Sequence, residues 1–364
     1  MLNKPIKRPR ASTSQNTMHI VNLISGKDLG GPKQSFVHYS DNLRHLGQQV
    51  TSIIRPGAQV QALLENKHLA YQFLDYPRTR IPGFKHLAQA RLRRVLHKLQ
   101  ADLLFVHKPI DAALTKPVLN PGCKLALVLH SYTAKGLHAA DMILAVSEPV
   151  KAFVLEQGYQ GPVLVMPNLV ELEEQEPQTR AKNTPLHIAH MGVMRRTKGQ
   201  DLLLEALTSL HNKGVDLRTT IAGKGRWFKK IQSMISAANM GDKVTMQGWV
   251  GHNEREAFFD NADVICVPSR SETFGMVVIE AMARKKLVLV TRCGGPEGII
   301  THRKNGFLAD INGTSLATEI EAIMVLSDKE YESICENAYQ HVLNNYSVQP
   351  FRARLEQMLA SLRA

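Results

Sequence analysis

Short, nearly continuous apolar runs alternate along this chain with longer stretches whose apolar residues recur every three or four positions. Residues 19–25, 49–55, 103–107, 125–130, 142–147 and 163–167 form one series of runs that predict strands. Residues 186–191, 217–222, 244–247, 264–268 and 287–291 form a second series. Runs without polar alternation suit parallel sheets covered on both faces. Between them lie amphipathic segments such as 201–212 and 229–238, which predict helices. The βαβα rhythm argues for two doubly wound α/β domains, residues 17–170 and 185–346, joined by the polar, acidic segment 171–184. Residues 1–16 predict a basic, disordered tail. Residues 329–343 and 349–362 read as a terminal helix pair. The second of these either stays on the second domain or crosses back to the first, as residues 347–364.

Length and composition fit this picture. A chain of 364 residues is too long for one ordinary core, and 44% hydrophobic content is enough to fill two. No run reaches the roughly 18 apolar residues that a membrane helix needs. The basic, polar N-terminus lacks the apolar stretch of a secretory signal, which predicts a cytoplasmic protein. Cys123, Cys266, Cys293 and Cys335 are scattered, with no CxxC pair, and read as reduced thiols. Charge is lopsided. Residues 1–170 hold 21 Lys+Arg against 9 Asp+Glu, whereas residues 171–364 hold 24 against 23. A first half with a net +12 faces something anionic, either a nucleic acid or a membrane surface.

The richest segment in chemistry is Ser269-Arg270-Ser271-Glu272-Thr273-Phe274-Gly275-Met276-Val277-Val278-Ile279-Glu280. It follows a predicted strand and opens a predicted helix running to about Arg284. Free amides after Gly275 at such a helix start suit a diphosphate. Glu272 and Glu280 flank the turn. Eight residues at helical rise span about 12 Å, comparable with the reach from a ribose across a diphosphate to a sugar. Ionised carboxylates are strong acceptors for sugar and ribose hydroxyls. Alone, a loop acid and a helix acid are ordinary surface groups. Glu280, however, lies in the apolar stretch Met276–Ala283, where a carboxylate needs a partner.

This segment resembles the E-x7-E signature of family 4 of the retaining GT-B glycosyltransferases, whose fold is two Rossmann-like domains facing a cleft. The resemblance implies that Glu272 contacts the donor sugar and Glu280 the ribose. It also implies that Gly275, Met276 and Val277 offer amides to the diphosphate. His190-Met191-Gly192 with Lys198-Gly199 looks like the family's strand and loop carrying a phosphate-binding lysine. Lys198 would there neutralise charge on the leaving group. Val193 stands where the family commonly has arginine, and either Arg195 or Arg196 would replace it. Gly223, in Gly223-Lys224-Gly225, and the loop Gly294-Gly295-Pro296-Glu297 resemble further donor-side loops. Asn305-Gly306-Phe307-Leu308 resembles a structural lead-in to a strand.

In the first half, Gly30-Gly31 follows the first strand in a long loop and resembles a ligand-approach loop. His130 ends a strand, where open α/β sheets bind ligands. The resemblance places it at the active-site cleft, orienting the acceptor or touching the donor sugar. His107 is similarly placed and reads as structural; Ser147-Glu148 and Asn168 resemble lesser cleft positions. Residues 84–99 form a basic amphipathic helix, with Phe84, Ala88, Leu92, Val95, Leu96 and Leu99 at helical spacing. It is either an ordinary packed helix or one that sits on an anionic membrane.

Together these features predict a glycosyltransferase of cell-surface polysaccharide or lipopolysaccharide synthesis. Its donor would be a UDP- or GDP-linked sugar, and its acceptor a saccharide or lipid-linked. No DxD or HExxH cluster is present, so no metal cofactor is expected. A basic nucleic-acid-binding protein is the reading from another class, but no recognition motif supports it. A sugar-nucleotide epimerase of the same shape is a further alternative, disfavoured by Glu272 and Glu280.

Overall fold

The computed structural model describes residues 17–28, 30–77, 83–251 and 254–363. The tail expected over residues 1–16 lies outside them. The strands are β1 (His19–Leu23), β2 (Gln49–Ile54), β3 (Tyr71–Phe73), β4 (Leu103–Val106), β5 (Lys124–Leu129), β6 (Met142–Ala145) and β7 (Val163–Val165). A second set follows: β8 (Leu186–Met191), β9 (Leu217–Ala222), β10 (Val244–Gly248), β11 (Val264–Val267), β12 (Leu287–Thr291) and β13 (Phe307–Ala309). They form two sheets, ordered β3-β2-β1-β4-β5-β6-β7 and β10-β9-β8-β11-β12-β13. Every strand pairing recorded within them is parallel. The protein is therefore α/β with two Rossmann-like sheets, as the alternation of apolar runs predicts.

The helices are α1 (Gly31–His45), α2 (Val60–Asn66), α3 (Phe84–Leu99), α4 (Pro109–Thr115), α5 (Glu148–Glu156) and α6 (Gln200–Asn212), then α7 (Phe228–Ala237), α8 (Arg255–Asp260), α9 (Met276–Ala283), α10 (Gly313–Met324), α11 (Asp328–Asn345) and α12 (Val348–Ser361). By packing, the chain divides into two compact units. One runs through Leu127 and takes back Lys135–Asp141; the other holds Val128–Ala134 and everything from Met142 on. In the second unit a continuous core joins Ile188, Leu203, Cys266, Leu289, Phe307 and Ile320.

Several elements depart from expectation. β3 is an edge strand of three residues, too short for a periodic signal. The connection after β1 runs over residues 24–30 and ends in Gly30, the extended N-cap of α1, so Gly31 is already the first residue of the helix. Pro32 fixes the first turn, where its missing N–H costs nothing. α1 escaped the pattern because its buried face mixes Phe36, Tyr39 and Leu43 with Ser35, Ser40 and Asn42. On α3 the buried residues are Ala88, Leu92 and Leu96, whereas Phe84 and Leu87 are 43% and 44% exposed. Segment 171–184 is irregular yet tied down: Lys182 Nζ donates to Met324 O at 3.2 Å, and Asn183 Nδ2 to Asp263 Oδ1 at 2.8 Å. The four cysteines are free thiols. No helix among the described residues is long and apolar enough to cross a membrane.

Candidate active site

The carboxyl ends of β8, β11 and β12, adjacent in the second sheet, carry the expected donor residues. After β8 the chain makes one tight 3-10 turn, Arg196–Lys198. Gly199 follows with φ +67°, and a Cβ there would stand 1.7 Å from Pro268 O. Only glycine fits this approach, and it seats Lys198 beside the segment after β11. There the Lys198 ammonium forms an ion pair with the Glu272 carboxylate, each side chain 19% exposed.

Glu272 is held by its backbone. Its N–H donates to Cys293 O at 3.0 Å, and Gly295 N–H donates to Glu272 O at 2.8 Å. The loop after β12 is thereby fastened to Glu272, and the Glu297 carboxylate accepts from Gly294 N–H at 3.0 Å. Gly275 turns the chain with φ +97° and α9 begins at Met276. Residues 272–275 are thus not helical, so a rise of 1.5 Å per residue does not apply across the whole Glu272–Glu280 interval. The first-turn amides of Met276 and Val277 point out of the helix start, as all such amides must. Phe274 is a core anchor, its ring 5.7 Å from that of Tyr346. The buried-acid argument for Glu280 is met by a residue the pattern did not reveal: Arg255 Nη1 donates to Glu280 Oε1 at 2.8 Å.

Other segments of the same unit converge on Thr273. Its hydroxyl donates to His130 O at 3.0 Å, and its carbonyl accepts from Ser147 Oγ at 2.6 Å. The His130 backbone is therefore held to the residue next to Glu272. Burial pushes its imidazole pKa down to about 3, so the ring is neutral. Tyr132 is an addition: its hydroxyl lies over Gly294, 2.8 Å from where a Cβ would be, and its ring meets Phe153 edge-on. Only the two-residue spacing from His130 hinted at it.

The remaining candidates divide. Arg195 and Arg196 are both exposed, and neither is fixed against Glu272 by a recorded contact. The guanidinium locked nearby is that of Arg270, bidentate to Asp201 at 2.7 and 2.9 Å. Gly223 packs backbone to backbone against the β8 loop; a Cβ there would lie 1.9 Å from Gly192 O. Asn168 is buried. In the other unit, His107 is a core residue: its Nε2 lies 2.9 Å from Asn22 Oδ1, and its ring packs against Phe36 and Tyr39. No group of three His, Cys, Asp or Glu among the described residues is placed to hold a metal ion.

The family described as glycosyl transferases group 1 matches residues 171–341, and glycosyltransferase family 4 matches residues 29–174. The chain belongs to the family 4 GT-B glycosyltransferases. It is 38% identical over 128 residues to the D-inositol 3-phosphate glycosyltransferase of Arthrobacter sp., covering 34% of this chain and 30% of that one. It is 28% identical over 262 residues to the lipopolysaccharide 1,2-N-acetylglucosaminetransferase of Salmonella typhimurium, covering 66% and 68%. Among solved structures, Anabaena Alr3699/HepE in complex with UDP and glucose superposes with a TM-score of 0.79 at 17% identity, covering 94% of this chain and all of that one. At that identity the likeness concerns the fold.

One feature of this glycosyltransferase makes its stability depend on pH. His190 is 1% exposed and held on both sides: its Nδ1 bonds to Cys266 O at 2.9 Å, and its Nε2 faces the Gln200 amide nitrogen at 3.1 Å. A carbonyl can only accept, so the proton sits on Nδ1 and the ring is neutral. Burial pushes its pKa down to about 4. The unfolded chain takes up a proton near pH 6.5 that the folded one refuses, so stability falls as pH drops from there toward 4. From pH 7 to 5 the loss is expected to be about 2 kcal/mol from His190, at 1.36 kcal/mol per pH unit. His130 acts in the same direction. Urea midpoints across this range check it, and a midpoint that holds steady or rises toward pH 5 contradicts it.

Proposed function

We propose that this glycosyltransferase moves a sugar from a UDP- or GDP-linked donor, with retention at the anomeric carbon, to a saccharide or lipid-linked acceptor in surface polysaccharide or lipopolysaccharide synthesis. The observation that carries the reading is the Lys198–Glu272 pair beside the α9 N-terminus. A diphosphate set there meets one ammonium and the amides of Gly275, Met276 and Val277. Glu272 accepts from sugar hydroxyls and Glu280 from the ribose. A bound donor exchanges the Lys198–Glu272 contact for two others: Lys198 to phosphate, Glu272 to hydroxyl. Neutral His130 can orient a hydroxyl by hydrogen bonding without carrying charge. The leaving diphosphate takes the acceptor's proton, and the protein supplies positioning and electrostatic stabilisation. The UDP and glucose of the HepE complex support this donor class, and the lipopolysaccharide sugar transfer named for the Salmonella relative supports this acceptor class.

The reading needs no divalent ion, because Lys198 and the amides supply the positive end. A donor screen followed by nucleotide release tests it. Turnover of a UDP- or GDP-sugar, unchanged by EDTA, is the expected result. No binding or hydrolysis at millimolar donor defeats the reading, and loss of turnover in EDTA defeats its metal-free part. In the same assay Glu280→Gln is expected to weaken donor binding about tenfold, the effect of one charge-assisted hydrogen bond. Unchanged affinity removes Glu280 from the ribose site.

The reading extends to a cytoplasmic protein held at the inner face of a membrane. Phe84 and Leu87 stand exposed on α3 beside Lys85, Arg91 and Arg94, an apolar edge in a basic field suited to anionic lipid. Cosedimentation with phosphatidylglycerol vesicles, absent for Phe84→Asp, is the check.

A further inference from the structure

On the reading above, a bound donor breaks the Lys198–Glu272 contact. That contact cannot then be what keeps the two residues aligned during transfer. Arg270, two residues before Glu272, makes contacts of another kind. Its backbone N–H donates to Thr197 O at 2.8 Å, inside the turn that carries Lys198. Its Nη1 donates to Arg196 O at 2.9 Å, in the same turn. Nη1 and Nη2 also grip the two carboxylate oxygens of Asp201, at 2.7 and 2.9 Å. Asp201 lies in the first turn of α6, just past Gly199. Arg270 therefore holds the chain on both sides of Lys198. The side chains of Arg270 and Asp201 are 26% and 14% exposed. A two-pronged pair with that burial fixes direction as well as distance, unlike an open surface pair. The ground under Arg270 is itself fastened: Ser269 O accepts from Thr291 Oγ1 of β12 at 2.5 Å.

A lysine does not hold its own position. Its four-carbon stem is flexible, so the space that the Lys198 ammonium can reach is set by where the backbone places it. None of the Arg270 contacts uses the Lys198 ammonium or the Glu272 carboxylate. They persist when those two groups change partners. We infer that Arg270, with Asp201, is a positioning residue for the transfer: it fixes the Lys198 backbone relative to Glu272, so that the ammonium meets the leaving diphosphate as the bond to the sugar breaks. Its effect is exerted through Lys198 and not on the reacting atoms. The inference rests on the donor reading above. A shift of about 1 Å in a group that acts on developing charge can cost on the order of 10²-fold in rate, which sets the size of the effect expected.

The test is a double-mutant cycle on the full chain, read by nucleotide release from the donor that the wild type turns over. Arg270→Met is expected to lower kcat about 10- to 100-fold and to change KM by less than about threefold. In a Lys198→Met background the same substitution is expected to lower kcat by no more than about twofold further, because the group it positions is already gone. Asp201→Asn keeps the shape of Asp201 and removes its charge, so it is expected to repeat the pattern in weaker form. A second readout needs no turnover. The Lys198 and Gly199 amides donate within the turn, to Arg195 O and Arg196 O. Their hydrogen exchange is expected to quicken in Arg270→Met. An equal fall in kcat with and without Lys198 overturns the inference, since Arg270 then supports the fold and not the lysine. Wild-type kcat in both Arg270→Met and Asp201→Asn overturns it too, as does unchanged exchange. Should Arg270→Met fail to fold, Asp201→Asn carries the same cycle. A wild type that releases nucleotide from no donor defeats the donor reading and the transfer role with it, while quickened exchange would still show Arg270 holding the turn.

Discussion

Replacing Lys198 by methionine is expected to lower kcat for nucleotide release by roughly 10²–10³-fold, the cost of removing one donor aimed at developing charge. Methionine keeps the length and apolar stem of lysine, so the packing of the turn before Gly199 is preserved. The ion pair with Glu272 is partly exposed and salt-screened, which limits its contribution to stability to about 0–1 kcal/mol. The expected pattern is therefore a large fall in kcat, a smaller rise in KM and little change in Tm. The split matters, because a lysine that merely held Glu272 in place would act on binding alone. Lys198→Met with wild-type kcat would sink the leaving-group role. Glu272→Gln gives the complementary measurement, since it keeps Lys198 but removes the acceptor for sugar hydroxyls.

The parts of this molecule legible in its sequence are those set by local pattern. β4, β11 and β12 are buried at every residue, so their apolar runs stand out without any alternation to look for. The Glu272–Glu280 segment is legible for a related reason: the turn at Gly275 and the apolar face of α9 are both local. What was hidden is what the topology joins. Arg255 reaches Glu280 across 25 residues, and Thr273 reaches His130 across 143. Spacing gives no clue to such pairs. The Lys33 and Lys108 ammoniums meet beside Gly26 from different elements, so the sequence shows their charge and not their convergence. Gly30-Gly31 is legible only in part: Gly30 closes the loop after β1, but with Pro32 behind it Gly31 already starts a helix. Phe84 followed the helical period of α3 and still faces outward, because periodicity marks a stripe and does not say what covers each end of it.

Gly199→Ala is expected to be the most damaging single methyl addition at the donor side, and comparison with Gly47→Ala separates its two causes. Both glycines have positive φ, +67° and +74°, so both pay the left-handed strain of an L-residue, about 1–2 kcal/mol. At Gly47 nothing lies within 4 Å of the new Cβ, and strain is the whole cost. At Gly199 the Cβ would stand 1.7 Å from Pro268 O, a backbone atom at the end of β11 that cannot swing aside. The chain between β8 and α6 must move, and Lys198 moves with it. Gly199→Ala is thus expected to cost at least about 3–4 kcal/mol, in the range of severe overpacking, against about 1–2 kcal/mol for Gly47→Ala. It should also lower kcat as Lys198→Met does, which Gly47→Ala should not. Urea denaturation and nucleotide release measured on both variants decide the matter. If the two lose equal stability and Gly199→Ala keeps its kcat, then the close approach to Pro268 is not what seats Lys198 against Glu272, and the geometry proposed for the leaving group loses its support.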